Sequence, residues 1–79
     1  MITVRYFAGA RAAAGVATEQ VGGPTSVAAL RAALTTAHPA LTAVLPKCAL
    51  LIAGTRAPSD DTEIPDEVTV DVLPPFAGG

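Results

Sequence analysis

Cys48 is the only cysteine in the chain, and a lone thiol closes no internal disulfide and cannot by itself hold structural zinc or an iron–sulfur cluster. A reducing, cytoplasmic setting fits this usage. Basic residues are nearly as scarce, with five scattered from Arg5 to Arg56 in a chain of net charge −2. That distribution offers no patch able to neutralise a row of phosphates, so nucleic acid is not an expected partner. No apolar run approaches the roughly 20 residues that cross a bilayer. The N-terminus also lacks the basic-then-apolar pattern of a secretory signal, so neither a membrane nor secretion is expected.

Large side chains are in short supply too. Hydrophobic residues make up 51% of the 79, but 17 of them are alanine, and the core must come from the larger ones, mostly Val and Leu. One domain of this length buries only roughly 60 to 65% of the surface its unfolded chain exposes. Such a core fills one helix on one sheet and leaves no room for a substrate cleft enclosed by the chain alone. Any chemistry therefore requires a partner.

What is present is patterned. Ile2, Val4 and Tyr6 alternate with Thr3, Arg5 and Phe7, the signature of a strand with one face on a core. Ala8 to Gly15 reads as a loop with about one helical turn, because it is rich in alanine and ends in glycine. Thr18 to Val21 predicts a short second strand. After Gly22-Gly23-Pro24, Thr25 or Ser26 can cap a helix carrying Val27, Leu30 and Leu34 at helical spacing. Pro39 ends it near Ala37, since a residue before proline is pushed out of the α region. A short turn through Leu41, Val44 and Leu45 precedes Pro46. Ala49 to Ala53 predicts a buried strand, Thr55 to Glu67 a polar, turn-rich stretch, and Val68, Val70 and Val72 a last strand with three β-branched residues inward. Strand, strand, helix, strand, strand implies an α+β fold in which one main helix covers one face of a mixed sheet. The other face, with Arg5 and Phe7, is left for solvent or a partner.

The chain divides into a domain over 1–73 and an extended tail over 74–79. Pro74 and Pro75 donate no amide hydrogen and fix φ, so the tail cannot continue the sheet. Six residues from Pro74 to Gly79 reach about 20 Å when extended, and the prolines stiffen the first part. Phe76 offers an anchor, Ala77 is small, and Gly78 and Gly79 lack side chains and pass narrow channels. The reactive group at the tip is the α-carboxylate of Gly79. Joined to AMP it becomes an electrophile that a sulfur nucleophile can convert to a thiocarboxylate. The competing expectation is an inert, disordered terminus.

Taken with this tail, the opening Val4-Arg5-Tyr6-Phe7-Ala8 with Arg11 following, and the turn Asp66-Glu67-Val68 before the last strand, resemble the β-grasp sulfur carriers related to ubiquitin. Within them, Pro74-Pro75-Phe76-Ala77-Gly78-Gly79 resembles most specifically the small subunits of molybdopterin synthase. The resemblance covers the whole chain. It implies a β-grasp fold with four or five strands, and a chain that binds no cofactor and is no enzyme alone. It implies that an ATP-using adenylyltransferase of the ubiquitin-activating type adenylates Gly79 and that a sulfur donor protein supplies sulfur. The tail then enters the large subunit of molybdopterin synthase and gives sulfur to a cyclic pyranopterin precursor, in a heterotetramer with a small subunit at each end. Phe7, Arg11 and Phe76 match positions expected to face the partners. Two departures stand out: Ala53-Gly54 where many members have Asn-Gly, and Pro65-Asp66-Glu67 where Gly-Asp-Glu is usual.

Other residues have simpler readings. Cys48 reads as a small buried hydrophobe and not as a persulfide relay, since no histidine is near it in sequence. His38 reads as a helix-end residue favoured by the dipole and not as a base. Six of the seven acids lie between Asp60 and Asp71. Turns and solvation explain most of them, an acidic docking face remains open, and their spacing does not follow a calcium loop. Phe7 is either an interface aromatic or is covered by the loop at Ala8 to Ala14. Rival functions are sulfur delivery for thiamine, cysteine or tRNA thiolation, a ubiquitin-like protein modifier, and an interaction module with an inert tail.

Overall fold

The computed structural model describes residues 1–24 and 26–75. Five strands, β1 (Ile2–Tyr6), β2 (Thr18–Val21), β3 (Ala49–Ile52), β4 (Thr55–Arg56) and β5 (Thr69–Leu73), form one mixed sheet in the order β2-β1-β5-β3-β4. Its centre is the parallel pair β1 and β5, with Val4 beside Val70 and Tyr6 beside Val72. The remaining pairings are antiparallel. Two helices, α1 (Ala8–Ala14) and α2 (Val27–Ala37), and two 3-10 turns at Pro39–Thr42 and Leu45–Lys47 complete the domain. The arrangement is a β-grasp fold.

Alternation sets the strands. Ile2, Val4 and Tyr6 of β1 and Val70 and Val72 of β5 are buried, and burial of each aliphatic side chain among them contributes about 1.5–3 kcal/mol. Val27, Leu30 and Leu34 form the buried stripe of α2 on this sheet face, joined by Leu41, Leu45 and Leu50. Ser26 Oγ accepts from the Ala29 amide at 3.2 Å, which makes it the helix cap, while the alternative at Thr25 lies outside the described residues. Two further amides at this helix start have partners across the chain: Val27 N donates to Thr62 O and Ala28 N to Asp60 O. The polar stretch thus satisfies donors that a helix terminus leaves orphaned.

Two expectations need correction. Ala8 to Ala14 is a two-turn helix and not a loop with a single turn. Its alanines favour helix intrinsically, Ala10 and Ala14 are buried, and Gly15 ends it at φ 80 with its amide on Arg11 O. The stretch after Gly54 contains a further strand, β4, because Ala53 (φ 51) and Gly54 (φ 86) make a two-residue hairpin turn that returns Thr55 alongside Ile52. The last strand starts at Thr69, and Val68 before it is half-buried.

Candidate functional site

The sheet face opposite α2 carries the candidate site. Register brings Arg5 beside Asp71, Asp71 beside Leu51, and Ala49 beside Leu73, all on the side away from the core residues. Arg5 forms a two-point fork with Asp71, Nε donating to Oδ1 at 2.7 Å and Nη2 to Oδ2 at 2.9 Å. The Asp71 hydrogen bond raises the Arg5 pKa above its ordinary value. The Arg5 guanidinium also lies 5.7 Å from the centre of the Phe7 ring, within cation–π range. Phe7 itself is 38% exposed. The ring is thus not fully covered by the segment that follows it.

Phe7 marks a corner. Its backbone is extended, its amide donates to Val72 O at 3.2 Å, and Ala8 turns the chain into α1 at φ 48. A positive φ at alanine costs about 1–2 kcal/mol, a local strain at the edge of the candidate surface. Arg11 lies on the exposed side of α1 and, with Ala8, Gly15 and Val16, lines a shallow groove of about 370 Å³. Val16 is 40% exposed. Pro74 and Pro75 follow β5 immediately, one half-buried and one exposed. The chain therefore leaves the sheet abreast of Phe7, since Tyr6 and Val72 are register partners. Phe76, Ala77, Gly78 and Gly79 lie outside the described residues.

Other singled-out residues have structural explanations. Cys48 is buried, its thiol donates to Val44 O at 3.3 Å, and burial pushes its pKa up against a smaller opposing effect of Arg31. A raised pKa keeps it a thiol and a poor nucleophile. The acids are partly engaged: Asp60 pairs with Arg31, Asp71 with Arg5, and Asp66 and Glu67 with the N-terminal ammonium. Among the described residues no three His, Cys, Asp or Glu side chains converge as a metal site. No helix among them is long and apolar enough to cross a membrane.

One cluster was not anticipated. Glu19 Oε2 accepts from Tyr6 Oη at 2.5 Å and from His38 Nε2 at 2.6 Å, and the Tyr6 and His38 rings meet edge to face at 6.0 Å. His38 is the C-cap of α2, so a single carboxylate of β2 fastens β1 to the end of the helix. Burial, then the bond to Glu19, raises the Tyr6 pKa far above its ordinary value. The only sequence signal was a polar hydroxyl on the inward face of β1, which needs a partner when buried.

Comparison with known proteins agrees with this architecture. A model of the ThiS family matches residues 4–79. The structure is similar to a putative molybdopterin converting factor subunit 1 from Pyrococcus furiosus, at 26% identity and a TM-score of 0.85, covering 95% of this chain and 97% of that one. It is similar to small archaeal modifier protein 1 from Methanosarcina acetivorans, at 26% identity and a TM-score of 0.85, with 99% and 95% covered. It also shares its fold with a chain in a complex of subunits 1 and 2 of molybdopterin-converting factor from Helicobacter pylori, at 23% identity and a TM-score of 0.75, with 99% and 97% covered. Comparison with curated proteins gives no significant match.

Proposed function

This chain belongs to the ThiS family, and from that premise we propose that it carries sulfur on Gly79 for assembly of the molybdenum cofactor. The observation that supports this best is the position of the chain's exit. Strand β5 is central, and it ends at Leu73 beside a partner-ready face bearing Phe7, Arg5 and Leu51. A protein that docks on that face meets the tail at the same edge. In this reading residues 1–73 are the docking domain and 74–79 the arm, with Pro74 and Pro75 directing it, Phe76 and Ala77 seating it, and Gly78 and Gly79 entering the active site of the partner. Phe7 and Arg11 contact partners.

The chemistry belongs to those partners. An adenylyltransferase lets a Gly79 carboxylate oxygen attack the α-phosphorus of ATP, expelling pyrophosphate. The outer sulfur of a donor protein's persulfide then attacks the acyl carbon and AMP leaves, and a thiol reductant cleaves the S–S bond of the resulting acyl disulfide, giving the thiocarboxylate and returning the donor's thiol. Transfer of the sulfur to a pyranopterin precursor in the large subunit, with water supplying oxygen, restores the carboxylate. The chain supplies no cofactor to these steps, and ATP serves the activating partner. Intact mass after incubation with an activating enzyme, ATP and a sulfur donor is the direct test: one oxygen is exchanged for sulfur at the C-terminus. Failure of the thiocarboxylated chain to convert the precursor with a competent large subunit would reject the molybdenum assignment while leaving the carrier role standing.

A second reading is favoured by the similarity to a small archaeal modifier protein: ligation of Gly79 to target lysines. The same acyl adenylate serves both outcomes, so isopeptide-linked conjugates in cells distinguish them. Sulfur delivery for thiamine, cysteine or tRNA thiolation uses the same carrier chemistry, and the identity of the acceptor that takes the sulfur separates these from the molybdenum branch.

A further inference from the structure

Positive charge in this acidic protein is concentrated in one place. Arg31, Lys47 and Arg56, three of its five basic residues, line a cavity of about 250 Å³ between α2, the start of β3 and the segment after β4. Among the described residues, Asp60 is the only one with a carboxylate that lines it with them. Outside the cavity, the two other cations, Arg5 and Arg11, are outnumbered by six acids.

Arg31 forms a fixed floor. Nη1 donates to Leu45 O at 2.6 Å, Nη2 to Cys48 O at 3.1 Å and Nε to Asp60 Oδ1 at 3.2 Å. These bonds engage three of its five N–H donors and hold the guanidinium plane without help from a ligand. Lys47 and Arg56 are exposed and unburdened by burial, and Ser59, whose Oγ accepts from the Asp61 amide at 3.3 Å, keeps its own hydroxyl proton to give. A fixed guanidinium with two N–H groups left to give, two exposed cations and a hydroxyl around a small recess suit a tetrahedral oxyanion. The volume falls below the roughly 300–1,000 Å³ of drug-sized ligand sites, so the recess fits a phosphoryl group and not a whole nucleotide.

We propose that the cavity bounded by Arg31, Lys47, Arg56 and Ser59 binds a phosphate-sized oxyanion, either free or as the terminal group of a phosphate monoester. Bound there, the anion would join α2 to the start of β3, and ligation to the folded state raises stability by mass action. The assignment is independent of the carrier reading, because the described residues that line the cavity include neither Pro74, Pro75 nor Phe7.

Amide shifts of the full chain, followed during titration with inorganic phosphate and separately with AMP against potassium chloride at matched ionic strength, test this. Saturable shifts at Lys47, Arg56 and Ser59 with phosphate, together with a rise in Tm, are expected. Equal saturation by AMP identifies a monoester as an acceptable source, and saturation by phosphate alone restricts the site to the free ion. The double variant Lys47→Gln, Arg56→Gln should weaken binding by roughly tenfold or more with the remaining spectrum unchanged, and Lys47→Gln alone by less. Shifts that do not saturate, that match those in chloride, or that are as large at Arg5 and Arg11 as in the cavity would overturn the proposal.

Discussion

The two faces of the sheet are built by the same strands and governed by the same two-residue period, yet they carry different loads. On the covered face Val4, Tyr6, Val70, Val72 and Leu50 are sealed under α2, so side-chain volume decides whether the domain folds. On the open face Arg5, Asp71, Leu51 and Leu73 share the register of those residues but are only partly covered or exposed. Fold energy comes from one face, and specificity is available on the other. The contrast teaches that an outward residue in a central strand can be free of structural duty even though its neighbours are not.

The sharpest way to break this contrast is a matched pair of truncations. Leu34→Ala should cost about 2–4 kcal/mol, because it empties a fully buried site, whereas Leu51→Ala, at a half-buried site open to solvent, should cost only about 1 kcal/mol. Urea denaturation of both measures the difference, and equal losses would mean that the open face is also structural. Alkaline titration probes the covered face next. The folded state holds the protons of Cys48 and Tyr6 above their ordinary values, while the unfolded chain releases them near 9.0 and 10.0. Stability present below those values is therefore lost as pH rises through about 9 and more steeply above about 10, at no more than about 1.4 kcal/mol per pH unit for each group. Cys48→Ala should remove the earlier onset and Tyr6→Phe the later one, as read by Tm against pH.

At neutral pH, Tyr6→Phe should itself cost about 1–2 kcal/mol by removing a donor to the Glu19 carboxylate. Asp71→Asn sharpens the comparison from the other side. It weakens the Arg5 fork on an exposed surface, so the expected loss of stability is below about 1 kcal/mol. Partner affinity, measured calorimetrically, should nevertheless fall by about tenfold, because Arg5 no longer stays fixed over Phe7. The smallest effect is a gain: Ala53→Asn should add about 0.5 kcal/mol, since asparagine tolerates the φ of 51 that the hairpin requires.

Much of this architecture was legible in the sequence. Alternation in β1 and the spacing of Val27, Leu30 and Leu34 located the core, and Pro39 located the helix end, because these signals act within a few residues. Helix α1 was hidden for the opposite reason: Ala10 and Ala14 bury so little that their stripe resembles a loop until tertiary packing is known. The hairpin at Ala53-Gly54 was hidden by an alanine in a position where asparagine announces the turn. Arg5 with Asp71, and Tyr6 with Glu19 and His38, depend on register between distant strands, which a linear pattern does not encode. Of the candidate site, Phe7 and Arg11 were readable as residues, but the strained corner that aims them was not.

The parallel pairing of β1 with β5 has a further consequence for how the molecule comes into being. The sheet's central contact joins residues as far apart as Arg5 and Asp71, separated by 66 positions. Closing so long a loop is a late and slow event compared with forming α2 or the β3–β4 hairpin. A nascent chain stopped short of β5 therefore lacks the middle of its sheet and has an unfinished open face. On the proposed function, a partner that docks on that face would thereby inspect the chain for length, because only a polypeptide synthesised through Leu73 completes it.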